Sequence, residues 1–151
     1  MENTLSNAGV YLRPVSYSDI KKIYVWRNHP DVRKWMINTK EITWNEHFKF
    51  WDSYIKNNKG NAFIIVVNGK ECGVIRLDYI DKSIAEIDIV IDPKFHNRGI
   101  GNTAIKQILS KSESLGIKKL IVKIKPDNIP SIKIFEKNDF KLKLLIYEKE
   151  V

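Results

Sequence analysis

Residues 85–115 leave the chain the fewest choices: AEIDIVID, then PKFHN, then RGIG, then NTAIKQILSKSESL. The β-branched run from Ile87 to Ile91 predicts a strand. Asp92-Pro93 opens a turn, and Gly99-Ile100-Gly101 leads straight into an apolar pattern of helical period. Ala104, Ile105, Ile108, Leu109 and Leu115 recur at three- and four-residue spacing, and Gly116 stands where a helix C-cap belongs. A strand that feeds a glycine loop opening a helix gathers free backbone N–H groups at the positive end of a helix dipole. That is a site for an anion, best suited to a phosphate or pyrophosphate. Glycine lets the backbone approach such a ligand with no Cβ in between.

The rest of the chain must supply the sheet and cover for this unit. Its 151 residues suit one domain over residues 1–151, with residues 1–8 expected to be disordered. No apolar run long enough to span a bilayer and no targeting pattern occurs, so a soluble cytoplasmic protein is expected. Cys72 is the sole cysteine, which excludes an internal disulfide and any zinc spacing and reads as an inert, half-buried thiol. The net charge of +8 suits a polyanionic ligand and equally suits a lysine-rich solvated surface. No block of like charges marks a nucleic-acid arm.

Before the glycine loop, residues 10–15 alternate as a first strand. Ser18 or Asp19 can cap a helix carrying Ile20, Ile23 and Tyr24, which should stop at His29-Pro30. A short helical piece over residues 31–35 and a loop over 36–40 follow. Thr43 and Glu46 form a capping-box pattern, with Trp44, Phe48, Trp51 and Ile55 as the expected buried stripe. From Asn61 the period becomes that of strands. Residues 62–67, the hairpin signal Asn68-Gly69, residues 72–80 and residues 85–91 predict an antiparallel meander. After the glycine helix come a buried strand over 120–124, a helix from Pro130 to Asn138 and a final strand over 140–148.

Gly99, Gly101 and Ala104 also satisfy the spacing of a dinucleotide-binding fingerprint. The context is wrong: antiparallel strands precede the loop, too few residues follow for more parallel strands, and Lys118-Lys119 occupies the place of the acidic ribose ligand. A Walker loop is excluded because no Gly-Lys-Ser/Thr follows. A third reading fits order and spacing together. Residues 96–101, His-Asn-Arg-Gly-Ile-Gly, match the Gln/Arg-x-x-Gly-x-Gly/Ala loop except that His96 replaces Gln or Arg. Asn128, Ser131, Phe135, Glu136, Lys137 and Phe140 fall on a second segment. The chain thereby resembles the GCN5-related N-acetyltransferase superfamily over nearly its whole length.

The resemblance implies an α/β (α+β) domain with a mixed, mostly antiparallel central sheet and helices on both faces. It implies acetyl-CoA as co-substrate and no metal. Pantetheine would pair with the strand edge at Val90 and Ile91, and N–H groups of Arg98, Gly99, Gly101 and Asn102 would hold the pyrophosphate, with His96 and Asn97 in the same loop. Asn128, Ser131 and Phe135 would flank the pantetheine arm; alternatively Asn128 is a helix cap and Phe135 a core aromatic.

Trp26-Arg27-Asn28-His29-Pro30-Asp31, Met36 and Glu46-His47 resemble N-acetyltransferases of the pseudaminic acid pathway, and more loosely the RimJ/RimL type that acts on protein N-termini. The implied acceptor is a small amine, a nucleotide-linked amino sugar, with Arg27, Asn28, Arg33, Met36 and His47 as its contacts. Neither nucleic acid nor membrane is an expected partner, and a homodimer is left open. Arg27 and Arg33 can meet phosphates bidentately; Trp26, Trp35, Met36 and His47 can equally be packing residues. Phe135 lacks the hydroxyl that many family members use as acid, and Lys123 replaces a glutamate. Glu86 and Asp88, on one face of a strand, remain as catalytic carboxylates, with Ser131 and Tyr147 as weaker candidates for the acid. A catalytically silent coenzyme A-binding module is the alternative outside enzymes.

Overall fold

Asn68 and Gly69 both hold left-handed backbone angles, φ 49° and 79°, the geometry of a two-residue hairpin turn. The turn joins β2 (Gly60–Val67) to β3 (Lys70–Tyr79), and the sheet grows outward from that pair. β1 (Val10–Pro14) lies antiparallel on β2, and β4 (Ile84–Ile91) lies antiparallel on β3. β5 (Lys119–Ile121) adds on parallel to β4, giving the order β1-β2-β3-β4-β5. The computed structural model describes residues 9–151; the expectation for residues 1–8 lies outside them.

Alternation along the strands sends side chains to two cores. On one face Ile64, Val66, Val74 and Val90 pack with Ile20, Ile23, Trp26, Val32, Trp51 and Tyr54. These come from α1 (Ile20–Asn28), α2 (Pro30–Arg33) and α3 (Trp44–Lys56). On the other face Ile65, Ile75, Leu77, Ala85 and Ile87 meet Ile100, Ala104, Ile105 and Ile108 of α4 (Ile100–Ser114) and Phe135 of α5 (Ile129–Lys137). A mixed sheet with helices on both faces is the architecture expected from the sequence. Gly60 permits the closest approach within it, since a Cβ there would strike the Leu77 carbonyl. Cys72 is fully buried rather than half-buried, and burial pushes its thiol pKa up.

Three expectations fail. Trp51 and, partly, Ile55 of the expected α3 stripe are buried, but His47 and Tyr54 complete it, whereas Trp44 and Phe48 are exposed. The polar tips of the buried pair are satisfied: His47 Nε2 donates to the Ile20 carbonyl at 2.8 Å, and Tyr54 Oη donates to the Leu77 carbonyl at 2.9 Å. The strand expected over 120–124 ladders only to Ile121. Residues 140–148 form no strand; Leu142, Leu144, Leu145, Ile146 and Tyr147 are exposed. Strand propensity needs a neighbour to pair with, and this segment meets none among the described residues.

Candidate active site

The register of β4 places the site. β4 and β5 pair only at Ile84↔Lys119, Ala85↔Leu120 and Glu86↔Ile121. Beyond Glu86 the two strands part, and residues 87–91 keep an unladdered edge toward the gap, among the described residues. The Asp92 amide donates to the Cys72 carbonyl at 2.8 Å. With the β3–β4 register unbroken, antiparallel alternation turns the amide groups of Asp88 and Val90 toward β3 and those of Ile87, Ile89 and Ile91 into the gap. This corrects the expectation for Val90, whose backbone faces β3, and adds Ile89. The Ile91 carbonyl is already occupied: His96 Nε2 donates to it at 2.8 Å. His96 thus ties the glycine loop back onto the strand.

That loop opens α4. Gly99 is its N-cap in the left-handed region, φ 76°, with no side-chain cap. The first helical donation onto the loop runs from the Thr103 amide to the Gly99 carbonyl at 3.3 Å. The amides of Ile100, Gly101 and Asn102 therefore sit in the helix's first turn with no acceptor earlier in the helix, at the positive end of its dipole. A Cβ at Gly99 would meet nothing, and one at Gly101 only Ile134 at 4.0 Å, so the cradle is open. Asn97 holds φ 62°, and the exposed Arg98 guanidinium lies 5.4 Å over the Phe95 ring. The Asn102 side chain accepts from Asn138 Nδ2 at 2.9 Å, which joins α4 to α5 and leaves its backbone amide for a ligand. An open anion cradle beside a free strand edge fits the pyrophosphate and amide-bearing arm of coenzyme A.

The second cofactor segment behaves differently. Asn128 caps α5, its Oδ1 accepting from the Ser131 amide at 3.4 Å. Phe135 is buried and packs edge-on against Phe140 with centroids 5.1 Å apart. Both follow the alternatives named for them, and Phe135 serves the core. Ser131 is half-buried on the same turn.

Glu86 and Asp88 share the sheet face turned to α1–α3. Asp88 Oδ2 pairs with Arg76 Nη1 at 2.8 Å, and Arg76 Nε donates to both oxygens of Asp78 at 3.0 and 3.1 Å. Phe50 and Trp51 cover that guanidinium at 4.9 and 5.9 Å. Burial weighs against the Arg76 cation, but Asp88 and Asp78 outweigh it and raise its pKa. Asp88 is thereby held in a structural charge row. Glu86 sits where the strands part: Lys123 Nζ lies 3.0 Å from its Oε1, an ion pair without an aligned hydrogen bond to that buried oxygen.

The expected acceptor contacts divide. Arg33 is held by its own chain, Nε donating to the Asn28 carbonyl at 2.9 Å and Nη1 to the Thr39 carbonyl at 3.3 Å. Asn28 clamps Ile42, donating to its carbonyl and accepting from its amide, both at 2.9 Å. His47 lies in the core, and burial lowers its pKa so that the neutral ring prevails. Each of these three is hydrogen-bonded to main-chain groups of its own chain. Met36 packs partly buried at the edge of the same core. Arg27 alone stays uncommitted. It is half-buried on the last turn of α1, within electrostatic reach of Asp88 and Arg76; burial lowers its pKa, and Asp88 only partly offsets this. No carboxylate lies within ion-pair distance of it among the described residues. Sequence reasoning missed Arg76, although a charged residue between Ile75 and Leu77 on a core strand is itself a signal.

Of two shallow cavities, the smaller borders the glycine loop at Phe95, Arg98 and Ile100. The larger, of about 370 Å³, runs outside β5, between Leu109, Ile117, Leu120 and Phe140. It touches neither the glycine loop nor Glu86, and carries no part of the chemistry.

Comparison with known proteins agrees with this geometry. Residues 10–141 match the model of the acetyltransferase (GNAT) domain. An uncharacterized protein of Methanocaldococcus jannaschii, MJ1062, is 27% identical over 137 residues, covering 87% of this chain and 28% of that protein. Acetyltransferase PseH of Campylobacter jejuni is 28% identical over 123 residues, covering 81% of this chain and 76% of PseH. Spermidine N-acetyltransferase from Vibrio cholerae, solved with CoA and spermine, superposes with a TM-score of 0.79 at 19% identity, covering 86% of this chain and 79% of that one. The chain therefore belongs to the GNAT acetyltransferase family and is an N-acetyltransferase enzyme.

Proposed function

We propose that this enzyme moves an acetyl group from acetyl-CoA to the primary amine of a small, anion-bearing acceptor, a nucleotide-linked amino sugar. One observation carries the acceptor half: Arg27, a half-buried guanidinium with no ion-pair partner among the described residues, beside the carboxylate row of β4. A desolvated, unpaired cation is costly, and a phosphate on the acceptor would relieve that cost. The likeness of residues 26–31 to amino-sugar acetyltransferases points the same way.

The co-substrate supplies an activated thioester. The chain holds it through the amides of residues 100–102 on the diphosphate and the edge of residues 87–91 along the arm. The acceptor enters from the α1–α3 side, between Arg27 and β4. Its ammonium must lose a proton before attack. Glu86 would take it: its carboxylate stands at the point where the gap begins, and Asp88 is held by Arg76.

Steady-state kinetics of Arg27→Ala against a uridine-diphosphate-linked 4-amino sugar test this reading. Loss of a charge-assisted contact costs about 1.5–3 kcal/mol, so the acceptor KM should rise roughly ten- to over a hundred-fold. Coenzyme A affinity should stay unchanged. An unaltered acceptor KM, or turnover of peptide N-termini in place of the sugar, would remove the nucleotide-sugar assignment.

A further inference from the structure

The reaction needs an acid as well as a base, and the buried Phe135 offers no proton. We infer that Lys123 is the acid: its ammonium protonates the departing thiolate, and its ion pair with Glu86 returns the proton afterwards. The inference rests on the acetyltransfer reading of this site and concerns a side chain that is otherwise unassigned.

Three observations carry it. Lys123 follows Ile121 by two residues, and Ile121 is the last residue of β5 paired with β4, opposite Glu86. The Glu86–Lys123 pair thus bridges the arms of the gap at its apex, one residue from each arm, at 3.0 Å. Lys123 is 67% exposed and Glu86 27%, so the lysine lies at the open side with freedom to reach a ligand while the carboxylate stays inside. The other charges on this face are committed or remote from the apex. Asp78 and Asp88 are paired with Arg76, and Lys125 Nζ donates to the Lys34 carbonyl at 3.0 Å. Arg27 lies at the end of α1 on the acceptor side and cannot give up a proton in this range.

The step balances. The acceptor nitrogen forms its bond to the acetyl carbon, and the carbon–sulfur bond breaks with its electron pair passing to sulfur. Glu86 takes the proton lost from nitrogen, and Lys123 gives one to sulfur. Transfer from the Glu86 carboxyl to the Lys123 amine, whose Nζ lies 3.0 Å from Oε1, restores both groups once the exposed lysine swings into hydrogen-bond alignment. No outside acid or base is consumed. The lysine's positive charge also favours the thiolate before any proton moves.

The test reads the thiol itself. Ultraviolet thiolate absorbance of coenzyme A bound to the wild-type protein should titrate below the ordinary thiol value of about 8.5. In Lys123→Met, which keeps the side-chain length and leaves the fold intact because the residue is exposed, the midpoint should rise by about one pH unit, roughly tenfold less thiolate at a fixed lower pH. The same variant should lose about 10²–10⁴-fold in kcat. A midpoint unchanged by Lys123→Met overturns the inference even if activity falls, because a purely structural role would leave the thiol untouched. Calorimetry on the same samples separates the two readings. Absence of coenzyme A binding to wild type sinks the cofactor assignment and this inference with it; binding with an unshifted thiol sinks only the role of Lys123.

Discussion

Asp19 shows how one residue can organise a corner of the molecule without touching the chemistry. Its side chain is 2% exposed, and burial alone would raise its pKa. The Arg13 guanidinium at 2.9 and 3.0 Å, the Ser16 amide at 2.8 Å and the charges of Arg13 and Lys22 outweigh burial and hold it at about 2. A folded-state value below the unfolded one means that the unfolded chain binds the proton more tightly. The stabilisation, about 2 kcal/mol, is therefore present above about pH 4 and is lost as pH falls through about 2. Denaturant titrations of wild type and Asp19→Asn between those limits should show the acid slope in the former and its loss in the latter, with the variant about 2 kcal/mol weaker near neutrality. The same scale explains what the sequence concealed. Arg33, Asn28 and His47 have chemistry that suits an acceptor, and the sequence shows nothing of the bonds they make within the fold. Each satisfies a main-chain carbonyl, and that demand arises only once the backbone has been folded.

Elements were more legible than residues, where local chemistry dictates them. The Asn68-Gly69 hairpin, the strand at 85–91 and the glycine-opened helix follow from turn geometry and apolar period, and each stands where the sequence placed it. The α3 stripe was read one position off because Trp44 and Phe48 outrank His47 and Tyr54 as apolar residues. The carbonyls of Ile20 and Leu77 that make the latter pair buriable come from elsewhere in the chain. The strand expected at 140–148 fails for the complementary reason, since alternation specifies a face and not a neighbour. The glycine loop yields the element-level prediction. A side chain at Gly101 has room, Ile134 being 4.0 Å from its Cβ position, so Gly101→Glu should leave the circular dichroism of the fold unchanged. Its carboxylate would stand among the amides meant for pyrophosphate, and calorimetry should show coenzyme A binding lost. Retained affinity in the folded variant would remove the loop from the cofactor site.

At the scale of the whole molecule, the sheet consists of two unequal parts. β1 to β4 are laddered along their lengths, whereas β5 is joined by the three pairings that end at Glu86 and Ile121. Opening costs little where few backbone bonds hold, so β5 and α5 are expected to unfold first and separately. On the function proposed above, a ligand lying along residues 87–91 would supply the hydrogen bonds that the parted strands cannot give each other, as a sixth strand present only while it is bound. Amide hydrogen exchange followed by mass spectrometry should find residues 119–137 exchanging well before residues 60–79 in the free enzyme. Saturating coenzyme A at a hundred times its dissociation constant should slow that segment by about 2.7 kcal/mol, close to a hundredfold. Uniform exchange across both parts, or protection confined to the α4 loop, would mean that the sheet behaves as one body. If the exchange pattern is as expected, the gap proposed to admit the co-substrate is also the molecule's weakest seam, and turnover is a cycle of local melting and repair.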